Sequence, residues 1–419
     1  MGVKQLINAN NWRTASTPLL NDAERHSYTS TEIIGVNRYY NGGGHQGEKS
    51  GWAILNGDRF ANQSVLFDPL ALPLTLKQVA NHPMIVSEGS WVPPLGYQSE
   101  GPLLIGAYRS LLGIDGYNWF AMKEPQWRQP SSANGHLPSL GKWVINTPEL
   151  LGNFPAAALL YRQGYVQSGP TIVQEQRSLT DLWNRQPALI TEKSGFDPNR
   201  DLQPEIRSKT GRQNINPLAF LVGPVRVRYD VARPQNQVGN LTPYLQTRQK
   251  QVHSVTGEMV WDYGRGLFSL DAAKVQAVTG FLRQAGPIQL TDVAIAAENT
   301  YATAIVISLD GKDIKNSQKI LVQVGTEARP TNWQQRPATW QNKQGKEQRG
   351  FEVVNYGQAP WRIVNNAMTF TINNPTLTTA TVLDMNGMAT SQVPLQKNNQ
   401  DVQFAFPTTA KYLLLSKTK

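Results

Sequence analysis

Four short apolar runs near the start of the chain restrict its fold more than any other feature. They are Val3–Ala9, Glu32–Asn37, Met84–Ser87 and Gly113–Phe120. Helix-like stretches lie between them. Pro73–Asn81 precedes the third run. Gly101–Leu112 precedes the fourth, with Leu103, Leu104, Ala107 and Leu111 recurring at helical spacing. Continuously apolar strands that alternate with helices predict a parallel sheet buried on both faces, because parallel neighbours need a crossover between them. Polar and aromatic residues gather where the runs end: Asn10-Asn11-Trp12, Arg38-Tyr39-Tyr40, Glu88, and Trp119-Phe120. Sites in α/β proteins form at that end of the sheet.

The pattern changes further along. Thr147-Pro148-Glu149 reads as a helix start, and Phe154–Gln163 as a helix closed by Gly164. Residues 166–250 are irregular and rich in Pro, Gln and Arg, with a strand-like Ala219–Tyr229. From residue 251 the sequence reads as all-β. Ser254–Trp261, Tyr301–Leu309, Met368–Ile372, Ala380–Leu383, Val402–Phe406 and Tyr412–Leu415 are strands, with turn signals at Asp310-Gly311 and Asn386-Gly387. This spacing predicts a β-sandwich. The length of 419 residues accommodates two or three domains. The expected division is 1–165 (α/β), 166–330 (linker and β-rich) and 331–419 (β-sandwich), with the Pro/Gln/Trp-rich stretch 329–348 as a long loop or boundary.

Composition narrows the chemistry. With 0 Cys there are no thiolate zinc sites, Cys nucleophiles or iron–sulfur clusters. His26, His82, His136 and His253 are isolated, so no metal is expected, and the Gly42-Gly43-Gly44 loop lacks the following Lys-Ser/Thr of a phosphate loop. No cofactor is expected. No apolar run is long enough to span a membrane, and the first residues do not read as a signal peptide. The net charge is +10, and residues 1–150 contribute none of it, with 11 basic and 11 acidic side chains. The excess sits in the remainder, without a basic stripe. A solvated basic surface is the plain reading. A sulfated or uronic polysaccharide is the partner class that this charge admits, and nucleic acid is not expected.

Glu88 is the sharpest local feature. An apolar strand delivers this carboxylate beside Trp91, and a carboxylate on a rigid strand can serve as nucleophile, base or metal ligand. The plainer alternative is a strand-capping Glu paired with Arg. Trp12, Trp91, Trp119 and Trp127, with Asn10, Asn37, Tyr39 and His45, supply the mixture of flat apolar faces and polar groups that a sugar ring needs. Trp52, Trp127 and Trp143 also suit anchoring roles.

The ordered set of strand-end residues resembles the C-terminal half of a clan A glycoside hydrolase (β/α)8 barrel, over about 165 residues. The resemblance implies strands 5–8 of a TIM-type barrel, with β-sandwich domains attached. It makes Glu88 the nucleophile at the end of strand 7 and Trp119 the sugar platform at the end of strand 8. Tyr39, Tyr40 and His45 become the strand-6 group near the nucleophile, and Asn10 and Trp12 mark the end of strand 5. It implies retaining hydrolysis of a poly- or oligosaccharide, in which one carboxylate attacks the anomeric carbon and a second carboxyl about 5–5.5 Å away protonates the leaving oxygen.

The family's acid stands on strand 4, and nothing here precedes strand 5. The expectation is therefore a missing N-terminal half, or a second chain that completes the barrel. Such a segment could carry a signal peptide to the periplasm, cell surface or exterior. Glu24 and Glu100 are the local substitutes for the acid. The rival reading is a non-catalytic carbohydrate-binding or cell-surface protein that keeps the barrel remnant.

Overall fold

The computed structural model describes residues 4–12, 17–122, 140–193, 215–342 and 345–418. Trp127 and His136 lie outside the described residues. The elements that position the site are α1 (Thr17–Tyr28), β1 (Ile34–Tyr40), β2 (Gln78–Val79), β3 (Met84–Trp91), α2 (Glu100–Leu112), β4 (Gly116–Trp119), α3 (Phe154–Arg162), β5 (Val173–Gln176) and β6 (Val225–Arg228). The chain as a whole is mostly β.

Strand β3 is central in a parallel sheet, with β1 on one side and β4 on the other. A fourth ribbon lies along β1. Asn8 forms a parallel bridge with Ile33, and the Asn37 N–H donates to the Asn11 carbonyl. The four apolar runs thus lie side by side in chain order and point the same way. One face is sealed. Ile34, Val36, Tyr40, Met84, Val86 and Trp91 pack there with Leu103, Leu104 and Leu111 of α2. Each such leucine contributes about 2 kcal/mol of apolar burial. Two glycines set the spacing of these layers: a Cβ on Gly101 would meet the Trp91 ring at 2.9 Å, and one on Gly106 would meet the Ala157 carbonyl of α3 at 3.0 Å. Gly113, at φ +68°, closes α2 with its N–H on the Arg109 carbonyl.

The stretch Pro73–Asn81, expected as a helix, is instead a short strand, Gln78-Val79, between turns at Pro73-Leu74 and Ala80-Asn81. Residues 72–79 are all buried, so no helical stripe of burial runs through them. Gln78 and Val79 form β2, parallel to β6. Lys77 anchors the segment in a buried ionic network. Its Nζ donates to Asp22 and, at 3.0 Å, to Glu175. Arg177 donates to Asp22 at 2.8 Å, and the Tyr229 hydroxyl to Asp22 at 3.1 Å. Glu192 accepts from the guanidinium groups of Arg25 and Arg38 and from the Lys77 N–H. Strand β6 begins at Val225 rather than Ala219. Ala219–Val222 is one helical turn, and Gly223-Pro224 separates the two.

The expected boundaries are not where packing changes. Residue 165 divides no core: β2, from the first part, shares a sheet with β5 and β6, and one apolar cluster runs from Tyr28 past Val225 to Trp261. Residues 166–250 are therefore part of the α/β body rather than a linker. Residue 330 divides no sheet either. Ala302–Ser308 pairs with Lys319–Gly325, which pairs with Tyr412–Ser416. These strands belong to a ten-stranded sheet that packs on a five-stranded one through Val306, Val322, Phe370 and Phe404. The stretch 329–348 contributes to a hairpin, Gln334–Gln341 with Glu347–Asn355, whose second strand pairs with Arg59-Phe60 of the α/β body.

Candidate functional site

Glu88 does not end its strand. β3 runs on to Trp91, and Glu88 sits at an irregularity in the β1–β3 ladder, between the pairs Val36/Val86 and Asn37/Glu88. The extra residue, Ser87, donates its hydroxyl to the Asn37 side-chain oxygen at 2.9 Å. A bulge of this kind re-aims side chains. Beyond it Glu88 faces Tyr39, whose hydroxyl donates to Oε2 at 2.5 Å. Ser87 and Glu88 are half-buried, while Asn37 and Tyr39 are buried. The carboxylate is thus held by a fixed phenol and remains in contact with solvent.

Tyr39 is fixed by aromatic neighbours. Its ring meets Trp143 edge-on at 5.1 Å and Phe120 at 6.2 Å, and Val92 completes the cluster. Trp143 donates its indole N–H to the Gly51 carbonyl at 2.9 Å, which agrees with an anchoring role. A second polar pair lies past the end of β1. The His45 ring nitrogen Nε2 sits 2.8 Å from Asp58 Oδ2, and its side chain is buried. Burial first, and then the nearby Lys142 ammonium, push His45 down to about 4 against the pull of Asp58. A neutral His45 therefore donates from Nε2 to Asp58. Burial also lowers Lys142 to about 7, with Asp58 opposing.

The other expected site residues separate by face. Strand register pairs Gly89 with Trp119, and Tyr40 with Trp91. Successive strand residues point to opposite faces, so these three aromatics lie on the helix side, away from Glu88. Contacts agree: Trp91 is 6.0 Å from Tyr40 and 6.1 Å from Trp119. Tyr40 donates to the Gln63 carbonyl at 2.8 Å, and Trp91 to Glu100 at 3.0 Å. Trp119 leans on Phe154 of α3 at 5.0 Å. The aromatic ring on the Glu88 side is that of the next residue, Phe120. Sequence reading missed this because a Trp is the more conspicuous of two adjacent rings. The alternation of faces from Tyr117 onward is the signal that finds it. Asn10 and Trp12 are exposed at the end of the first ribbon, where the Asn10 side chain accepts the N–H groups of Asn11 and Trp12.

Neither substitute acid is shown in contact with Glu88. Glu100 is sealed beneath Trp91, accepting also from the Ser64 hydroxyl at 2.5 Å and the Val65 N–H at 2.9 Å. Burial raises it to about 7 in spite of these bonds. Glu24 lies on α1, beside the Tyr28 phenol. Among the described residues no group of three or more His, Asp or Glu side chains is placed to hold a metal ion, and no helix is long and apolar enough to cross a membrane. No known protein-family model, curated protein or solved structure matches this chain.

Proposed function

We propose that this chain carries the nucleophile side of a retaining glycoside hydrolase site, built on strands 5–8 of a (β/α)8-type half-barrel, and that it acts on a poly- or oligosaccharide. The observation that carries the reading is the Glu88–Tyr39 pair: a solvent-accessible carboxylate on a rigid parallel strand, oriented by a phenol at 2.5 Å. The four parallel ribbons in chain order support it, as does the gathering of Tyr39, Phe120 and Asn37 around Glu88. In this reading Glu88 attacks the anomeric carbon as the glycosidic C–O bond breaks; the leaving oxygen departs as an aryloxide from an aryl glycoside, or takes its proton from an acid supplied outside this half-site. Tyr39 holds the attacking oxygen in line and releases it as the glycosyl bond forms. Phe120 offers an apolar face to the sugar ring.

A second reading is favoured by the burial of Glu100 beneath Trp91. Without a proton donor beside Glu88, the same surface binds sugar without cleaving it. One experiment separates the two. The protein is incubated with a panel of aryl glycosides and oligosaccharides, and a Glu88→Gln variant is run in parallel. Hydrolysis that disappears in the variant, with sugar binding kept, supports the enzyme. Binding without hydrolysis in both supports the binder. Hydrolysis unchanged by Glu88→Gln removes Glu88 from the mechanism.

A further inference from the structure

The sheet of β2, β5 and β6 turns a polar, cationic face to solvent. Strand β6 alternates strictly: Val225 and Val227 are buried, while Arg226 and Arg228 are exposed. Its parallel neighbour β5 buries Val173 and Glu175 and leaves Gln174 and Gln176 half-buried on the other side. The register sets Gln174 beside Arg226 and Gln176 beside Arg228. The antiparallel strand Gln237-Val238 brings the exposed Gln237 beside Gln174. Residues in register share a face, so two guanidinium groups and three side-chain amides stand together across three strands. The two arginines are one strand period apart, about 7 Å.

These cations are uncompensated. Among the described residues neither Arg226 nor Arg228 has an ion pair or a side-chain hydrogen bond, and Asp230, the nearest acid in sequence, pairs with neither. The acids closest in the fold are engaged elsewhere. Glu175 faces inward onto Lys77, Glu192 holds Arg25 and Arg38, and Asp181 exchanges hydrogen bonds with Ser178. The loop after β6 folds back along β5, because the Gln235 N–H donates to Gln176 Oε1 at 3.1 Å and the Gln176 N–H to the Asn236 side chain at 2.8 Å. This brings the exposed Arg233 to the margin of the face. The wider charge agrees: residues 166–250 hold 12 basic and 7 acidic side chains, half of the +10 excess.

We propose that this face binds an anionic polysaccharide, a hydroxyl-bearing chain that carries sulfate or carboxylate groups. A guanidinium fork takes either group through two parallel hydrogen bonds. Two forks spaced along one strand suit a chain that repeats its charge. The amides beside them suit the hydroxyls between those charges: Gln174 keeps its side-chain oxygen, and Gln176 its side-chain N–H groups, without a partner among the described residues. None of the five side chains on the face is aromatic, so it offers no platform on which nucleic-acid bases could stack. The face belongs to a different sheet from Glu88, and its occupancy does not depend on the hydrolase reading.

The test is calorimetric titration of the whole chain carrying Glu88→Gln, so that no sugar probe is cleaved. The probes are hexagalacturonate and a sulfated galactose hexamer, with a neutral galactose hexamer, hexaglutamate and a deoxythymidine hexamer as controls. The expected result is saturable binding of an anionic sugar, at least tenfold tighter than any control, and the tighter of the two anionic sugars assigns carboxylate or sulfate. Arg226→Gln combined with Arg228→Gln should weaken it at least tenfold. Lys319→Gln combined with Lys397→Gln removes the same charge from exposed positions on the sandwich, and should change it less than twofold. Should the arginine pair fail to fold, by circular dichroism, Gln174→Ala decides the matter: it leaves the charge intact and should weaken the sugar several-fold. Absence of binding, or equal weakening by the two charge-removing pairs, overturns the face. Equal binding of the neutral hexamer overturns the charge requirement, and equal binding of hexaglutamate overturns the sugar. A deoxythymidine hexamer that binds as tightly as the anionic sugars overturns the polysaccharide in favour of nucleic acid. Wild-type protein assayed for hydrolysis in the same series tests Glu88 separately.

Discussion

The Tyr39 hydroxyl reaches Glu88 Oε2 at 2.5 Å across two parallel strands, and it does so because Ser87 is an extra residue in the ladder. An unbroken register from Val36/Val86 onward would place Ser87 opposite Asn37 and shift Glu88 by one, turning its carboxylate to the helix side. The bulge is therefore what makes Glu88 a surface group.

Replacing Tyr39 with Phe keeps the ring against Trp143 and Phe120 and removes only the phenolic donor. A hydrogen bond to a charged group contributes about 1.5–3 kcal/mol. If Glu88 acts as the nucleophile, kcat for a good aryl glycoside should fall about 10- to 100-fold, with the thermal midpoint nearly unchanged. A variant that unfolds earlier but turns over normally would show that the bond serves stability alone.

The two neighbouring aromatics should respond in opposite ways. Phe120→Ala removes a ring from the Glu88 side and should raise KM or weaken sugar binding several-fold, with a modest stability loss. Trp119→Ala removes a half-buried ring from between Trp91 and Phe154, and should cost about 2 kcal/mol of stability while leaving affinity intact. Urea unfolding and binding isotherms on both variants check this. The reverse assignment would mean that the sugar lies on the helix side.

Much of this arrangement could be read from residue order, and some could not. The parallel ribbons were legible because apolar runs like Met84–Ser87 admit few other environments. The face of Glu88 was not, since it depends on a ladder irregularity that leaves no mark in composition. The segment Leu72–Val79 was misread because it is buried on every side, which leaves no period to tell a helix from a short strand between turns. What settles it is Lys77, pinned to Asp22 and Glu175, which are distant in sequence. Boundaries at 165 and 330 failed for the same reason. Strand partners such as Lys319–Gly325 and Tyr412–Ser416 are separated by an inserted arm, and sequence statistics register the arm and not the pairing.

The ionic network that Lys77 belongs to should dominate stability in the α/β body. Glu192 is fully buried and serves Arg25, Arg38 and the Lys77 N–H. Glu192→Gln leaves two buried guanidinium groups short of their counter-ion, a change that costs about 3–5 kcal/mol. The neighbouring half-exposed pair of Lys193 with Asp68 is the control. Lys193→Ala should cost under about 1 kcal/mol. Denaturant midpoints of the two variants compare them directly, and equal losses would mean that the buried network is not what holds α1 and β1 together.

His45 gives the fold a pH response with a definite sign. Its folded value, about 4, lies below the ordinary 6.5, chiefly through burial and then through Lys142. The folded state therefore resists protonation more than the unfolded chain does. Its contribution is fully present above pH 6.5 and is lost as pH falls from there toward 4, since only the unfolded chain takes up the proton in that window. Two and a half pH units correspond to about 3 kcal/mol at the limit. His45→Asn removes the titrating ring while leaving an amide that can still donate to Asp58. Urea unfolding at pH 7.5 and pH 4.5 should show the wild type losing more stability than the variant over that interval, with the gap opening below pH 6.5. Parallel curves for the two proteins would place the acid sensitivity of the fold on other groups, and would mean that His45 is hydrated rather than sealed beside Asp58 and Lys142.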